Sequence, residues 1–152
     1  MQVWRIAKNI YAEDLSGTGA ARFGQRWNRR GDFALYAGLT PAICVLETFV
    51  HLGDTLPDDY VIVELSLPDD PELYFQPTRD SLPLSWSSES ATEETQAYGS
   101  SFLNTGRYLG LIVPSALLPE SLNLVINPRH PAARQIQLSS LRAYQFDSRM
   151  LK

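Results

Sequence analysis

The sequence predicts an α+β fold, a single domain of short strands with flanking helices. Three observations predict it. Apolar, β-branched runs of strand length recur, clearest at Tyr60-Val61-Ile62-Val63-Glu64-Leu65-Ser66-Leu67. A hydroxyl–proline pair, Thr40-Pro41, opens a segment with helical spacing of apolar residues. The chain has 152 residues, 44% hydrophobic and 20% charged, which is the size and composition of one globular domain with a core of its own. No internal repeat and no second domain is visible, so residues 1–152 read as one unit.

The elements follow in order. Trp4-Arg5-Ile6 reads as a first short strand. Leu15-Ser16-Gly17-Thr18-Gly19-Ala20-Ala21 reads as a glycine-bearing loop, followed by an irregular segment dense in Arg22, Arg26, Arg29 and Arg30. Phe33 to Ala37 reads as a buried strand between Gly31-Asp32 and Gly38. A helix runs from about Pro41 to Leu52 and stops at Gly53. The strand over Tyr60 to Leu67 ends at Pro68-Asp69-Asp70-Pro71, and the Ser-, Thr-, Pro- and acid-rich stretch from Pro77 to Glu94 reads as a long surface loop. Thr95 to Thr105 reads as a helix with Phe102 and Leu103 facing inward. Short strands are expected at Leu109–Val113, Leu122–Ile126, Gln135–Leu138 and Ala143–Phe146.

Composition excludes several classes. The single cysteine, Cys44, rules out an internal disulfide and a multi-cysteine zinc site. The two histidines, His51 and His130, have no metal-ligand spacing, so no metal is expected. Thirteen basic against 17 acidic side chains give a net charge of −4, opposite in sign to the basic excess of a nucleic-acid binder. The most apolar stretch, Phe33 to Val50, contains Pro41 and Glu47 and is short for a membrane span. The start, Met1-Gln2-Val3-Trp4-Arg5, lacks a signal-peptide pattern. A cytoplasmic location is therefore expected, with no membrane contact. A GxxxxGKS/T loop, a GxGxxG turn and an HExxH helix are all absent.

Five residues stand out in order: Arg5, Arg26, Tyr36, Glu47 and Ser115. Arg5 and Arg26 also read as surface charges or ion-pair partners, and Tyr36 as a core aromatic. Glu47 lies mid-helix among apolar residues, where a carboxylate is costly unless paired. It reads either as half of a structural ion pair or as a site carboxylate. Ser115 follows a strand and a proline and reads as an N-cap for Ala116-Leu117-Leu118; no histidine is placed to make it a nucleophile. Asn127 and His130 either line a site or shape a proline-bracketed turn.

The ordered pieces Trp4-Arg5, Leu15-Ser16-Gly17-Thr18-Gly19, Gly24-Gln25-Arg26-Trp27-Asn28, Leu35-Tyr36-Ala37, Leu46-Glu47 with His51-Leu52, Val113-Pro114-Ser115 and Asn127-Pro128-Arg129-His130-Pro131 resemble the RES domain. The resemblance runs from Val3 to the Asp147-Ser148-Arg149 tail. It implies a fold like that of the ADP-ribosyltransferases and related NAD-binding toxins. It implies a bacterial type II toxin that depletes NAD by hydrolysis or phosphorolysis, with NAD as substrate and no cofactor. One branch instead transfers ADP-ribose to a protein. The implied partner is an Xre-like helix-turn-helix antitoxin, which would carry the DNA contact that this acidic chain need not make; a homodimer within the complex stays open. An idle module that regulates a promoter with its antitoxin is the reading from another class.

By the same resemblance the family's arginine falls on Arg26, its tyrosine on Tyr36, its glutamate on Glu47 and its serine on Ser115, with Arg5 as a further arginine. Gln25 stands where the family often has glycine. A planar guanidinium suits the NAD pyrophosphate, so Arg26 and Arg5 are its expected ligands. Tyr36 is expected to stack on nicotinamide, Ser115 to bond its amide or the ribose, and Asn127 to contact substrate. Glu47 is expected to stabilise an oxocarbenium-like state, as carboxylates do in glycoside hydrolysis. The leaving group is already a pyridinium, so no strong general acid is needed. The Arg26 region is also expected to receive a carboxylate or C-terminus of the antitoxin.

Overall fold

A computed structural model describes residues 1–152. Seven strands form one sheet: β1 (Gln2–Lys8), β2 (Leu35–Gly38), β3 (Tyr60–Ser66), β4 (Tyr74–Phe75), β5 (Gly110–Pro114), β6 (Leu122–Ile126) and β7 (Gln137–Ala143). Their order is β4-β5-β6-β2-β1-β3-β7. β4 runs parallel to β5, and every other neighbouring pair is antiparallel. The helices are α1 (Thr18–Phe23), α2 (Pro41–Phe49) and α3 (Glu93–Thr105). The α+β class expected from the sequence is the class observed.

Both faces of the sheet are buried, which explains why its central strands are nearly continuous in apolar residues. Along β6, Leu124 and Ile126 join one core cluster with Val3, Leu35, Ala37, Val63 and Leu65, while Val125 joins the other with Ala34, Leu111, Val113, Trp27 and Leu103. Period-two alternation sends successive side chains to opposite cores.

α2 begins as expected: the Thr40 hydroxyl accepts from the Ile43 amide and Pro41 takes the first helical position. It ends at Phe49, and a turn carries the chain on to Leu52. α3 starts at Glu93, before the expected Thr95. Thr92 is a better cap: its hydroxyl accepts from the Thr95 amide, and Glu93 and Glu94 sit in the positive first turn. Leu103 is buried as expected; Phe102 is only half-buried and stacks with Phe75 and Tyr108.

Three expectations are corrected, and one element, β4, was not foreseen. The glycine-bearing loop opens α1, with Gly17 as its N-cap at φ 77°. A Cβ on Gly17 would lie 2.8 Å from the Ala34 backbone nitrogen, so this close approach needs glycine. The two-residue β4 has too little periodicity to be read. The Pro77–Glu94 stretch is a loop with one 3-10 turn (Arg79–Ser81) as far as Thr92, its last two residues belonging to α3, and it is not all surface: Leu82 is buried and Trp86 packs on the second core cluster. The two short strands expected at the C-terminus are one exposed edge strand, β7, after which Phe146 turns back into an aromatic contact with Phe49 and Tyr60. No helix is long and apolar enough to cross a membrane.

Candidate active site

β1 pairs with β3 along its whole length but meets β2 only where Trp4 faces Gly38. Beyond that point the two strands diverge. The gap is a cavity of about 600 Å³, within the usual size range of small-molecule sites. Arg5, Ile6, Ala7 and Lys8 form one wall, residues 34–38 the other, and Cys44, Glu47, Thr48 and His51 of α2 and the turn after it close one side.

Gly38 is what lets α2 sit so low on the sheet. A Cβ there would lie 2.7 Å from Ile43 Cγ2 and 3.1 Å from the Cys44 backbone nitrogen. The low seat brings Glu47 down to the β5–β6 hairpin. The Ser115 hydroxyl donates to Glu47 Oε1 at 2.6 Å, and Asn123 Nδ2 donates to the same oxygen at 2.7 Å. Neither donor is charged, so the carboxylate is held without being neutralised. Glu47 is therefore no half of an ion pair, and its Oε2 has no protein partner.

Across the cavity, Arg5 is half-buried. Its Nη1 donates to the carbonyls of Ala12, at 3.4 Å, and Asp14, at 3.0 Å. Burial lowers its pKa, opposed by the Asp14 charge. Its Nε and Nη2 have no protein acceptor, which leaves a half-buried cation with free donors. Cys44 lies between Arg5 and Glu47, and burial pushes its thiol up to about 12, so it is an inert wall.

Tyr36 lines the cavity with its hydroxyl already committed: it donates to Asn28 Oδ1 at 2.7 Å and accepts the Trp27 amide at 3.0 Å. Burial raises its pKa, so the phenol stays neutral. Asn28 is itself tied to the carbonyls of Ala20, Arg29 and Asp32. What Tyr36 offers the cavity is its ring, on a fixed mount.

Arg26 is absent from the cavity wall. Its Nη1 donates to the Trp86 carbonyl at 3.0 Å and its Nη2 to that of Glu89 at 3.2 Å. The guanidinium expected to meet the pyrophosphate clamps the loop before α3, and the structure does not bring it to the cavity wall. Asn127 is also placed elsewhere: it is buried, donates to the Leu103 carbonyl and accepts the Arg129 amide. These bonds tie it to the fold, and the structure does not bring it to the cavity wall. His130 caps the turn at Pro131, accepting the Ala132 amide at Nδ1. Ser115 is the cap read for it, its Oγ accepting the amides of Leu117 and Leu118. Its hydroxyl hydrogen, expected to meet the nicotinamide amide or the ribose, goes to Glu47 instead. It is fully buried behind Glu47 and so is placed to act through that carboxylate.

The RES domain family model matches residues 2–147. The chain belongs to the RES domain family. It is 38% identical to a Sphingobium sp. protein named Prs ADP-ribosylating toxin, over 98% of this chain and 96% of that one. It is 34% identical to Toxin Res of Yersinia enterocolitica, over 99% of each chain, and 36% identical to Toxin Res of Pseudomonas putida, over 91% and 92%. Its fold matches a chain in the crystal structure of the M. tuberculosis MbcT–MbcA toxin–antitoxin complex, with a TM-score of 0.72 and 20% identity over 99% of this chain and 86% of that chain.

Set on this RES domain, the residues picked from sequence divide by place. Arg5, Tyr36 and Glu47 meet in the cleft, Ser115 supports it from behind, and Arg26 and Asn127 are bonded to backbone outside it. Sequence reasoning missed Asn123. The signal was present: an amide inside the apolar run Leu122-Asn123-Leu124-Val125-Ile126 is as anomalous as a carboxylate in an apolar helix.

Proposed function

We propose that this RES-domain chain is the toxin of a toxin–antitoxin pair and that it breaks the nicotinamide–ribose bond of NAD. The observation that carries the reading is the Glu47 carboxylate, ordered through one oxygen by two neutral donors at the edge of a cleft that also holds the Arg5 guanidinium. Breaking that bond sends its electron pair to the pyridinium ring and leaves positive charge on the ribose. A fixed, un-neutralised carboxylate stabilises that charge as it develops. Arg5 offers donors to the pyrophosphate and Tyr36 a ring face to nicotinamide. NAD is the substrate, and no cofactor enters.

An acceptor oxygen then bonds to the anomeric carbon and its proton goes to solvent. Water gives ADP-ribose; inorganic phosphate gives an ADP-ribose phosphate. A second reading, favoured by the relative named Prs ADP-ribosylating toxin, has a protein side chain as acceptor. Both readings use the same first step in the same cleft. The partner in this proposal is an Xre-like helix-turn-helix antitoxin that carries the DNA contact, and action on cellular NAD places the chain in the cytoplasm.

The test incubates purified, partner-free chain with NAD, with and without phosphate, and follows nicotinamide by chromatography beside Glu47→Gln. The expected result is release that is lost in the variant, with the co-product naming the acceptor. Folded protein that releases no nicotinamide, even with candidate protein acceptors supplied, would overturn the proposal and leave the promoter-regulating module in its place.

A further inference from the structure

Asn123 occupies a position that strand physics reserves for an apolar residue. It lies in the centre of the sheet, paired with Gly38 on one side and Val113 on the other. Two residues on, and so on the same face, Val125 is fully buried in the second core cluster. An amide here loses hydration unless it finds partners. Its single protein bond is from Nδ2 to Glu47 Oε1, at 2.7 Å. The residue is half-buried and lines the cavity. The fold gives it no other work: the ladder around it is made by backbone, and Val or Thr would fill the strand as well.

The residue type also decides between alternatives. A lysine or arginine at this point would cancel the charge of Glu47. An aspartate or glutamate would repel it and force the pair to share a proton. A hydroxyl is already supplied by Ser115, at 2.6 Å from the same oxygen. A neutral amide adds a second donor, holds the carboxylate plane against rotation and leaves its full negative charge for the cavity. With both donors on Oε1, Oε2 is the oxygen without a protein partner.

We infer that Asn123 is a positioning residue for the proposed NAD cleavage, acting through Glu47 by holding its carboxylate in one orientation. The inference rests on the reading of the cleft as an NAD-cleaving site. It assigns a fourth side chain to the set built from Arg5, Tyr36 and Glu47, and it divides the support of Glu47 between two residues of different kind. Ser115 is also a turn cap, whereas Asn123 serves the carboxylate alone.

The test uses the full chain, free of partner, as Asn123→Ala, Asn123→Asp and unaltered protein. Loss of one hydrogen bond to a charged group is expected to lower kcat for nicotinamide release about 10- to 100-fold in Asn123→Ala, with KM for NAD within about two-fold. Asn123→Asp is expected to be poor at neutral pH and to recover as the pH falls, because the carboxyl pair then holds a proton. The other titratable groups facing this point (Arg5 from β1, Tyr36 from β2, Cys44 of α2 and His51 just beyond it) are common to all three proteins. Crystal structures give a readout without turnover: the Glu47 carboxylate is expected to hold one orientation in the unaltered chain and to lose it in Asn123→Ala. An unmoved carboxylate in Asn123→Ala overturns the inference whether or not the protein cleaves NAD. Unaltered kcat in Asn123→Ala, or a raised KM alone, overturns it in a protein that does. Absence of nicotinamide release from the unaltered chain counts against the reaction, and the orientation of the Glu47 carboxylate still decides the role of Asn123.

Discussion

One oxygen of Ser115 ties Glu47 to the fold. Its hydroxyl hydrogen goes to Glu47 Oε1 at 2.6 Å, and its lone pairs accept the amides of Leu117 and Leu118 at 3.1 and 3.2 Å. The orientation of the carboxylate is thereby coupled to the turn between β5 and β6. Ser115→Ala is expected to lose both functions at once: about 1–2 kcal/mol of stability from the lost cap, and most of the nicotinamide release. Glu47→Gln is expected to lose activity with a smaller change in stability. Urea unfolding beside the release assay reads both; equal stability losses in the two variants would separate the turn from the site.

Gly99 lies in the middle of α3, where helix propensity alone favours alanine by about 1 kcal/mol. Packing reverses the sign. A Cβ at Gly99 would sit 1.8 Å from the Trp27 carbonyl oxygen and 2.5 Å from its carbon. Those are backbone atoms of a turn closed by the Gln25 and Asn28 amides, so no side chain can swing away. Gly99→Ala is expected to destabilise by about 3 kcal/mol or more, the overpacking range and above. An unfolding midpoint at or above that of the unaltered chain would contradict the close contact of α3 with this turn.

Arg26 clamps the Trp86 and Glu89 carbonyls from a position next to Trp27, whose amide fixes the Tyr36 hydroxyl. Removing the guanidinium is expected to free the loop before α3 and to loosen the Tyr36 mount indirectly. Hydrogen exchange in Arg26→Ala should rise in residues 84–92 while β3 and β5 stay protected. Exchange that is unchanged in that segment would return Arg26 to the direct substrate contact expected from sequence.

Alkaline pH is expected to weaken the fold through Cys44. Its thiol is raised from 9.0 to about 12 by burial. A raised folded-state value means that the folded chain keeps a proton which the unfolded chain releases. The contribution is therefore intact below pH 9 and is lost as the pH climbs from 9 toward 12, by up to about 1.4 kcal/mol per unit. Tyr36, held neutral by burial, adds to the same trend above pH 10. Urea midpoints at pH 8 and pH 10.5 should fall less in Cys44→Ala than in the unaltered chain. Parallel losses would remove Cys44 from the account.

Much of this was legible in the chain. The strand over Tyr60–Ser66 and the helix opening at Thr40-Pro41 follow from local patterns: a short β-branched apolar run suits a strand buried on both faces, and a hydroxyl followed by proline satisfies a helix start. The anomaly of Glu47 was visible because its apolar neighbours are adjacent in sequence. Long-range geometry was not. Whether the Arg26 guanidinium meets substrate or the carbonyls of Trp86 and Glu89 depends on a loop about sixty residues away. The convergence of Ser115 and Asn123 on one oxygen of Glu47 depends on how low α2 rides over Gly38. Residue types and local spacing set the elements and flag the misfit polar groups, because helix caps and strand alternation act over a few residues. The partners of those polar groups are chosen by packing between elements far apart in the chain, and that choice separates the side chains facing the cleft from those that hold it in shape.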